Sequence, residues 1–297
     1  VTGKVTGEFS EGDVVTLTVN GIRYTGAVDE EGSWTISVPG SELATVDALS
    51  VSVTTTDAAG NSTTATAVRG YGVDVTAPEL TVSVNPVTAD NTINAAESGE
   101  STIAVTGTIV AEAGTSTTVT VTVNGQEYVA SVDAVDGTWT VDVLTSDLLA
   151  DSAVSVSASS VDVAGNATTT TAVQAYGIDI TAPELTALVD PVTSDNVINA
   201  AEAGAEAIAV TGTVFAEADT STTVTVTVNG QQYTATVDAV SGTWSADIAT
   251  SDLLADSLVA VSATSTDAAG NATTETTTRS YGVDAVAPEL TVSVNPV

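Results

Sequence analysis

The sequence contains no cysteine, no methionine and no histidine, and each absence excludes a class of chemistry. Without cysteine there is no disulfide and no thiolate-bound metal, and without histidine there is no imidazole ligand. Catalytic serine–histidine and cysteine–histidine pairs are excluded for the same reason. Domains of this composition are stabilised by core packing or by hard cations that bind oxygen atoms.

Positively charged residues are almost as scarce as cysteine, methionine and histidine. Four lysines and arginines stand against 38 acidic residues, giving a formal net charge of −34. Because phosphate groups are bound through lysine and arginine, we expect no binding to nucleic acid or to an anionic membrane surface. The chain also has no signal peptide and no apolar run long enough to insert into a membrane. The acidic residues either keep a secreted protein soluble or converge on a divalent cation.

Alanine, valine, threonine and serine are abundant, whereas aromatic residues make up only 4% of the chain. Valine and threonine are β-branched and favour strands, so the composition predicts an all-β fold. Each core is expected to consist of valine, isoleucine, leucine and alanine around one tryptophan per repeat.

The chain repeats itself with a period of 105 residues. A nonapeptide with a central proline occupies residues 73–81 and recurs at 178–186 and 283–291, and Trp34, Trp139 and Trp244 follow the same period. A period of this length is that of a whole domain, so the nonapeptide is interpreted as a linker. We predict a truncated repeat at 1–75, complete repeats at 76–180 and 181–285, and the first strand of a further repeat at 286–297. The missing initiator methionine and the abrupt ends indicate a piece of a longer repetitive protein.

Seven short strands are predicted in the second repeat, which is typical of an immunoglobulin-like sandwich. Asn124-Gly125 predicts a two-residue hairpin turn, and Trp139 is expected to point into the core. Residues 146–151 predict a capped helical turn whose leucines close the core. We therefore expect tandem immunoglobulin-like β-sandwiches joined end to end by short linkers. The predicted strands are 80–84, 103–110, 117–123, 127–132, 138–143, 153–161 and 167–173.

Acidic and amide side chains recur at positions that could bind Ca2+, which requires six to eight oxygen ligands. They belong to the linker, to the segments 90–97 and 195–202, to an Asp-x-Ala-Gly-Asn loop, and to the loop after the second strand. A capped helical turn is the alternative for the second feature, and a self-bonded turn is the alternative for the third. The candidate ligands are Asp74, Asp179 and Asp284; Asp90, Asn94, Glu97, Asp195, Asn199 and Glu202; Asp57, Asp162 and Asp267; and Glu112 and Glu217, with Glu8 at the matching position of the first repeat.

The topology of a seven-stranded sandwich brings some of these groups together. The loop between the last two strands lies where the chain enters the domain, so Asp162 is expected near Asp74, and Asp267 near Asp179. A calcium ion shared by the linker and these loops would remove the freedom of the hinge. The tyrosines that precede each linker are expected to pack across the joint.

Catalysis is not predicted. Paired carboxylates are the remaining catalytic option, but the acidic residues recur at linkers and turns in every repeat rather than in one cleft. We therefore expect no enzymatic activity.

Several motifs are similar to a known family. They are Asp90-Asn91-x-Ile93-Asn94-Ala95-Ala96-Glu97, Val105-Thr106-Gly107-Thr108, Val123-Asn124-Gly125, Gly137-Thr138-Trp139 and Asp162-x-Ala164-Gly165-Asn166. Together they resemble the bacterial immunoglobulin-like extender repeats of giant RTX-type adhesins, which act in biofilms and at surfaces. The resemblance implies type I secretion to the bacterial cell surface, calcium at the linkers of Asp74 and Asp179, and a rod that projects a distal ligand-binding region. The glycine-rich calcium-binding nonapeptide of RTX domains is absent, so only the extender region is represented.

The leading hypothesis is therefore a monomeric structural spacer whose partners are the neighbouring repeats of the same chain. Two alternatives remain open at this point. The repeats could themselves bind glycans or surfaces through their loops, or they could associate laterally between cells.

Overall fold

The computed structural model describes residues 1–294 and is all-β, with only short helical turns between strands. The structure divides into two compact units. The first comprises Val1–Thr81, Val110–Thr118 and Ala158–Thr170, and the second comprises Val82–Ile109, Val119–Ser157 and the described residues from Thr171 onwards. The predicted domain limits at 75, 180 and 285 stay predictions.

The first six strands form an antiparallel sheet in the order β3-β2-β5-β6 and a separate pair of β1 with β4. Gly3 lies opposite Trp34 in that pair. Alternating valines and leucines turn inward, so that Val15 and Leu17 are buried against Trp34. The elements are β1 (Thr2–Lys4), β2 (Val14–Val19), β3 (Ile22–Ala27), β4 (Ser33–Thr35), α1 (Gly40–Leu43), β5 (Ala48–Thr56) and β6 (Ser62–Gly70).

The following part of the chain has the same kind of strand pairing. Strand β10 pairs with β11, and β13 pairs with both β12 and β9, all antiparallel, whereas β16 pairs with β8 in parallel. The elements are β7 (Leu80–Val82), β8 (Thr92–Ile93), α2 (Ala95–Ser98), β9 (Thr102–Ala111), β10 (Ser116–Val123), β11 (Gln126–Val129), β12 (Ser131–Asp133), β13 (Thr138–Leu144), α3 (Thr145–Leu149), β14 (Ala153–Val161), β15 (Ala167–Ala175) and β16 (Gly177–Ile178).

The last repeat is a sandwich of two four-stranded sheets, in the orders β17-β19-β23-β22 and β21-β20-β24-β25. Its core contains Trp244, Ile248, Leu253 and Tyr281. The elements are β17 (Leu185–Val189), β18 (Val197–Asn199), the 3-10 turn Glu202–Gly204, β19 (Ala207–Ala216), β20 (Ser221–Val228), β21 (Gln231–Thr234), β22 (Thr236–Asp238), β23 (Thr243–Ala249), α4 (Thr250–Ala255), β24 (Leu258–Thr266), β25 (Ala272–Ser280) and β26 (Gly282–Asp284).

The all-β, immunoglobulin-like prediction is confirmed, with one change in the strand set. The predicted strand 127–132 is two strands, β11 and β12, which join different sheets. The N–H of Ala130 still donates to the carbonyl of Val119, at 2.9 Å, and the chain then crosses to pair with β13. Asn124 and Gly125 both have positive φ, of 50° and 74°, as the predicted hairpin turn requires.

The helical turn before β14 is also present, but its predicted cap is wrong. No side chain caps α3, and the residue at its N-terminal boundary is Leu144. The carboxylate of Asp147 instead accepts hydrogen bonds from the Tyr128 hydroxyl and from the side chain of Asn124. Leu148 is fully buried as expected, whereas Leu149 is half-buried.

The tyrosines before the linkers do not pack across the joints. Tyr176 and Tyr281 are 7% and 6% exposed. The Tyr176 hydroxyl donates to the carbonyl of Leu148 in α3, and the Tyr281 hydroxyl donates to the carbonyl of Leu253 in α4. The Tyr71 hydroxyl donates to the carbonyl of Leu43 in the same way. The reason is that the N–H of Tyr281 remains bound to Ser257, which keeps the ring over its own core.

Residues 286–294, predicted to begin a further strand, form no strand in the described structure, and residues 295–297 of that prediction lie outside the described part of the chain. A strand requires a neighbour for its backbone hydrogen bonds, and none pairs with residues 286–294 in the described chain.

Candidate metal centre

The start of the second linker is fixed by the segment 91–93. Gly177 and Ile178 pair in parallel with Thr92 and Ile93, and the N–H of Asp179 donates to Ile93 O at 3.0 Å. Asn91, in the left-handed region at φ 63°, donates its side-chain amide to Ala175 O at 2.8 Å. The third linker begins in the same way, with Asn199 opposite Asp284 in the pair of β18 with β26.

The Asn94–Glu97 segment forms a capping box. Asn94 Oδ1 accepts from the N–H of Glu97, and Glu97 Oε2 accepts from the N–H of Asn94, both at 3.0 Å. Asn199 and Glu202 exchange the same two bonds at 3.1 and 2.9 Å. These reciprocal bonds satisfy N–H groups that the first turn of a helix leaves free, so the capped-turn alternative is present in the fold.

The Asp-x-Ala-Gly-Asn loop is a self-bonded turn. Asp267 Oδ1 accepts from the Asn271 N–H at 2.8 Å, and Oδ2 accepts from the Asn271 side-chain amide at 2.9 Å. Asp162 with Asn166 and Asp57 with Asn61 repeat the pattern. The asparagine side-chain bond is the main cause that lowers the pKa of Asp267, because it stabilises the carboxylate.

Asn271 links this loop to the two other predicted features. Its side-chain amide also donates to Asp179 O at 2.9 Å, and its Oδ1 accepts from the N–H of Ala95 at 2.7 Å. The residue is only 4% exposed. A single side chain therefore connects the linker, the capping-box segment and the loop that carries Asp267.

Asn271 belongs to the predicted loop motif but is not one of the predicted calcium ligands. The sequence pattern could have identified it, because an asparagine recurs four residues after each loop aspartate, at Asn61, Asn166 and Asn271.

The first linker has part of the same arrangement. The side-chain amide of Asn166 donates to Asp74 O at 3.1 Å and to Asp162 Oδ2 at 2.9 Å, so Asp162 lies near Asp74 as predicted. Thr168 Oγ1 donates to Pro78 O at 2.5 Å, and Thr273 makes the equivalent bond to Pro183 O.

The two glutamates of the loop after the second strand also reach the linkers. Glu112 Oε2 accepts from the Glu79 N–H at 3.4 Å, and Glu217 Oε2 accepts from the Glu184 N–H at 3.3 Å. Both contacts fall at the end of the linker that enters the next strand. Glu8, at the matching position of the first repeat, is exposed.

Two predicted ligands accept hydrogen bonds within their own loops. Asp90 Oδ1 accepts from Thr92 N and Thr88 Oγ1, both at 3.0 Å, and Asp195 repeats these bonds with Val197 and Thr193. The backbone bond is the main cause of the lowered pKa of each aspartate. These carboxylates shape the turn that leads into β8 and β18.

The oxygen atoms at the second linker suit a hard cation. Across residues 1–294, no three acidic side chains already form a metal-binding group. Asp179 Oδ1 accepts from the Thr181 N–H at 3.1 Å, and Glu97 Oε2 is used in the capping box. The second oxygen of each carboxylate has no hydrogen-bond partner within residues 1–294, and carboxylate oxygens are the ligands that Ca2+ prefers.

Comparison with solved structures gives two similar chains of high coverage. One is the Ca2+-stabilised adhesin with which an Antarctic bacterium reaches out and binds ice; it is 43% identical, with a TM-score of 0.71, over 95% of this chain and 68% of that chain. The other is a 1.5-MDa bacterial ice-binding adhesin studied for its retention at the host cell surface; it is 40% identical, with a TM-score of 0.68, over 96% of this chain and 90% of that chain. The chain belongs to the extender repeats of giant bacterial RTX-type surface adhesins.

These extender repeats match no model of a known protein family, and no curated protein matches them. Their solved relatives are structural domains of adhesins. No helix of the described extender repeats is long and apolar enough to cross a membrane.

Proposed function

We propose that the extender repeats act as a spacer at the bacterial cell surface, stiffened at their linkers by Ca2+, which holds a distal ligand-binding region away from the cell for adhesion and biofilm formation. The observation that carries this proposal is the bonding of Asn271. Asn271 joins Asp179 of the second linker to Ala95, which precedes the linker in the chain, and to Asp267, which follows it. The linker is therefore restrained without a bound ion.

The chain's own residues restrict the second linker at three successive points. The parallel pairing of Gly177 and Ile178 fixes its start, Asn271 holds the carbonyl of Asp179, and Thr273 holds the carbonyl of Pro183. Each bond removes backbone freedom from a segment that would otherwise act as a hinge. Neighbouring repeats of the same chain are therefore the partners we propose, in a monomeric rod whose repeats meet near residues 75, 180 and 285.

Calcium would bind through carboxylates of the linkers and of the loops that bond to them. At the second linker the residues proposed to hold it are Glu97, Asp179, Glu217 and Asp267, and at the first linker they are Asp74, Glu112 and Asp162. The other predicted ligands keep that role as a proposal. Bound Ca2+ would supply positive charge to a chain of net charge −34 and tie the linker to its neighbouring loops.

Calcium titration of matched variants tests this proposal. Asp179→Asn and Glu97→Gln each remove one negative charge at the second linker. We expect them to weaken calcium binding and to reduce the rise in melting temperature that calcium produces. Asp142→Asn removes the same charge from an exposed strand position and is the control.

Binding isotherms and melting curves would be compared for the three variants and the unsubstituted chain. If Asp179→Asn and Glu97→Gln respond to calcium like Asp142→Asn, the second linker is not a calcium site.

A further inference from the structure

The third repeat has an open groove at the end where the second linker enters it. The groove lies between the loop 217–220, which joins β19 to β20, and the hairpin 239–242, which joins β22 to β23. Its volume is about 370 Å³, within the range of about 300–1,000 Å³ that small-molecule sites occupy. The buried Val214 and the half-buried Val237 give it an apolar floor. We call this feature the loop groove.

An exposed aromatic ring borders the loop groove. Phe215 is one of its lining residues and is 66% exposed, on a strand where it lies opposite Thr186. A phenylalanine left in water loses the stabilisation that burial of its ring would supply. The ring instead offers its electron-rich face to the C–H groups of a ligand.

The loop groove differs from the matching part of the second repeat in a consistent way. Valine in place of isoleucine removes a methylene group from the floor, and phenylalanine in place of valine adds the ring. Serine in place of aspartate exchanges a charge for a hydroxyl group, and aspartate in place of glycine adds a carboxylate. The lining residues that differ are Val214, Phe215, Asp219 and Ser241, where the second repeat has Ile109, Val110, Gly114 and Asp136.

Asp219 has a backbone conformation that suits glycine better. Its φ is 62°, and Gly114 at the matching position has a φ of 85°. Positive φ is unfavourable for a residue with a Cβ atom, so aspartate here costs stability that glycine would not. Its side chain is exposed and lines the loop groove. Such a strained residue at a groove indicates a role in binding rather than in folding.

Both walls of the loop groove are held by hydrogen bonds of the fold. Asp238 Oδ1 accepts from the N–H groups of Val240 and Ser241, at 2.9 and 3.3 Å. On the other wall, Thr220 Oγ1 donates to Glu217 O at 2.7 Å. A ligand therefore meets a site in which little backbone has to be ordered on binding.

The charges around the loop groove favour an uncharged ligand over an anion. Glu217 and Asp219 line it, and within the described residues no lysine or arginine does. Carboxylates accept hydrogen bonds from hydroxyl groups, and the Ser241 hydroxyl both donates and accepts. A ligand with many hydroxyl groups and an apolar C–H face matches these groups together with the ring of Phe215. Neutral sugars have this chemistry.

We propose that the loop groove of the third repeat binds a neutral pyranose sugar. One face of the sugar ring stacks on Phe215, while its hydroxyl groups donate to the Asp219 carboxylate and bond with the Ser241 hydroxyl. Because the second repeat lacks these three residues, the chain has one such site. The site is a lateral contact on a repeat of the spacer and does not depend on calcium at the linkers.

A glycan array tests the proposal with the full chain, in excess chelator so that linker calcium plays no part. The probes are neutral hexose oligosaccharides and their sulfated counterparts, and we expect saturable binding to the neutral set alone. Phe215→Val combined with Asp219→Gly introduces the residues of the second repeat and should weaken binding by about tenfold or more. Because glycine suits the φ of position 219, this variant should melt no lower than the unsubstituted chain.

Leu188→Ser is the matched control. It also introduces the residue of the second repeat, at a 58% exposed position that does not line the loop groove, and should leave sugar binding unchanged. Calorimetry with the neutral oligosaccharide that binds most tightly on the array should give one site per chain. The proposal is overturned by absence of binding to the neutral set, by a preference for the sulfated set, by equal binding of the Phe215→Val, Asp219→Gly variant, or by more than one site per chain.

Discussion

The asparagine of the Asp-x-Ala-Gly-Asn loop bonds the preceding linker in both repeats whose preceding linker the sequence includes. Asn61 bonds only Asp57, Asn166 also bonds Asp74 O, and Asn271 bonds both Asp179 O and the Ala95 N–H. The local turn is the same in the three copies, so the differences isolate what the asparagine contributes to a linker. At the scale of single residues, the stiffness proposed for the linkers depends on hydrogen bonds from asparagine side chains, in addition to any bound ion.

Alanine substitution of these three asparagines should therefore give a graded series. Asn271→Ala leaves the Ala95 N–H without its partner and should cost about 2 kcal/mol of unfolding free energy, Asn166→Ala about 1 kcal/mol, and Asn61→Ala about 0.5 kcal/mol. Denaturant unfolding measures the series. Hydrogen exchange at Ala95 and Asp179 should accelerate in Asn271→Ala alone. Equal costs at the three positions would mean that the asparagine serves only its own loop.

Stability at alkaline pH should depend on the buried tyrosines. Burial, followed by the nearby carboxylate of Asp151 or Asp256, raises the pKa of Tyr176 and Tyr281 from 10.0 to about 12. A raised pKa in the folded state stabilises the fold fully below pH 10, and this contribution is lost as the pH rises from about 10 to about 12. The melting temperature should fall over that window. In Tyr176→Phe combined with Tyr281→Phe the fall should be smaller, with a loss of about 1 kcal/mol per hydroxyl bond at neutral pH.

At the level of elements, each complete repeat is closed by its first strand. Strand β17 lies over Trp244, and glycine is required where the two meet. The linker that precedes this strand is held by Asn271 and Thr273, so linker order and strand insertion involve adjacent residues. A change that displaces the strand is expected to loosen the joint as well.

Gly212→Ala should show this dependence. Its Cβ atom would be 2.1 Å from Leu188 O, a backbone atom that moves only with the strand, so we expect a loss of about 3 kcal/mol. Gly3→Ala is the matched control, because the nearest atoms that its Cβ would meet belong to the Trp34 side chain and not to the backbone. Thermal unfolding compares the two variants, and a larger effect at Gly3 would contradict this account of the fold.

Most elements could be predicted because their signals are local. Alternation of valine and threonine identified the strands, and Asn124-Gly125 identified a hairpin whose two residues have positive φ. The break at Ala130 was missed because both halves of 127–132 alternate alike, and only the pairing partners differ. The bonds of Asn271 to Ala95 and Asp179 join residues 176 and 92 positions apart, which no local pattern reveals.

At the scale of the whole molecule, charge and repetition act together. The chain has a net charge of −34, and acidic residues recur at every linker. The calcium proposed to bind there would add its effect to the bonds already present. The function proposed for the array is mechanical, because its relatives are parts of long adhesins rather than enzymes.

Small-angle X-ray scattering with calcium and with chelator tests the central claim most directly. With strands rising about 3.3 Å per residue, a sandwich and its linker span about 40 Å. We predict that in calcium the chain scatters as a rod of repeats joined end to end, and that chelator shortens its mean length and broadens its distance distribution. Asp179→Asn should resemble the chelated state even in calcium. Identical scattering in calcium and in chelator would contradict the claim that calcium stiffens the linkers.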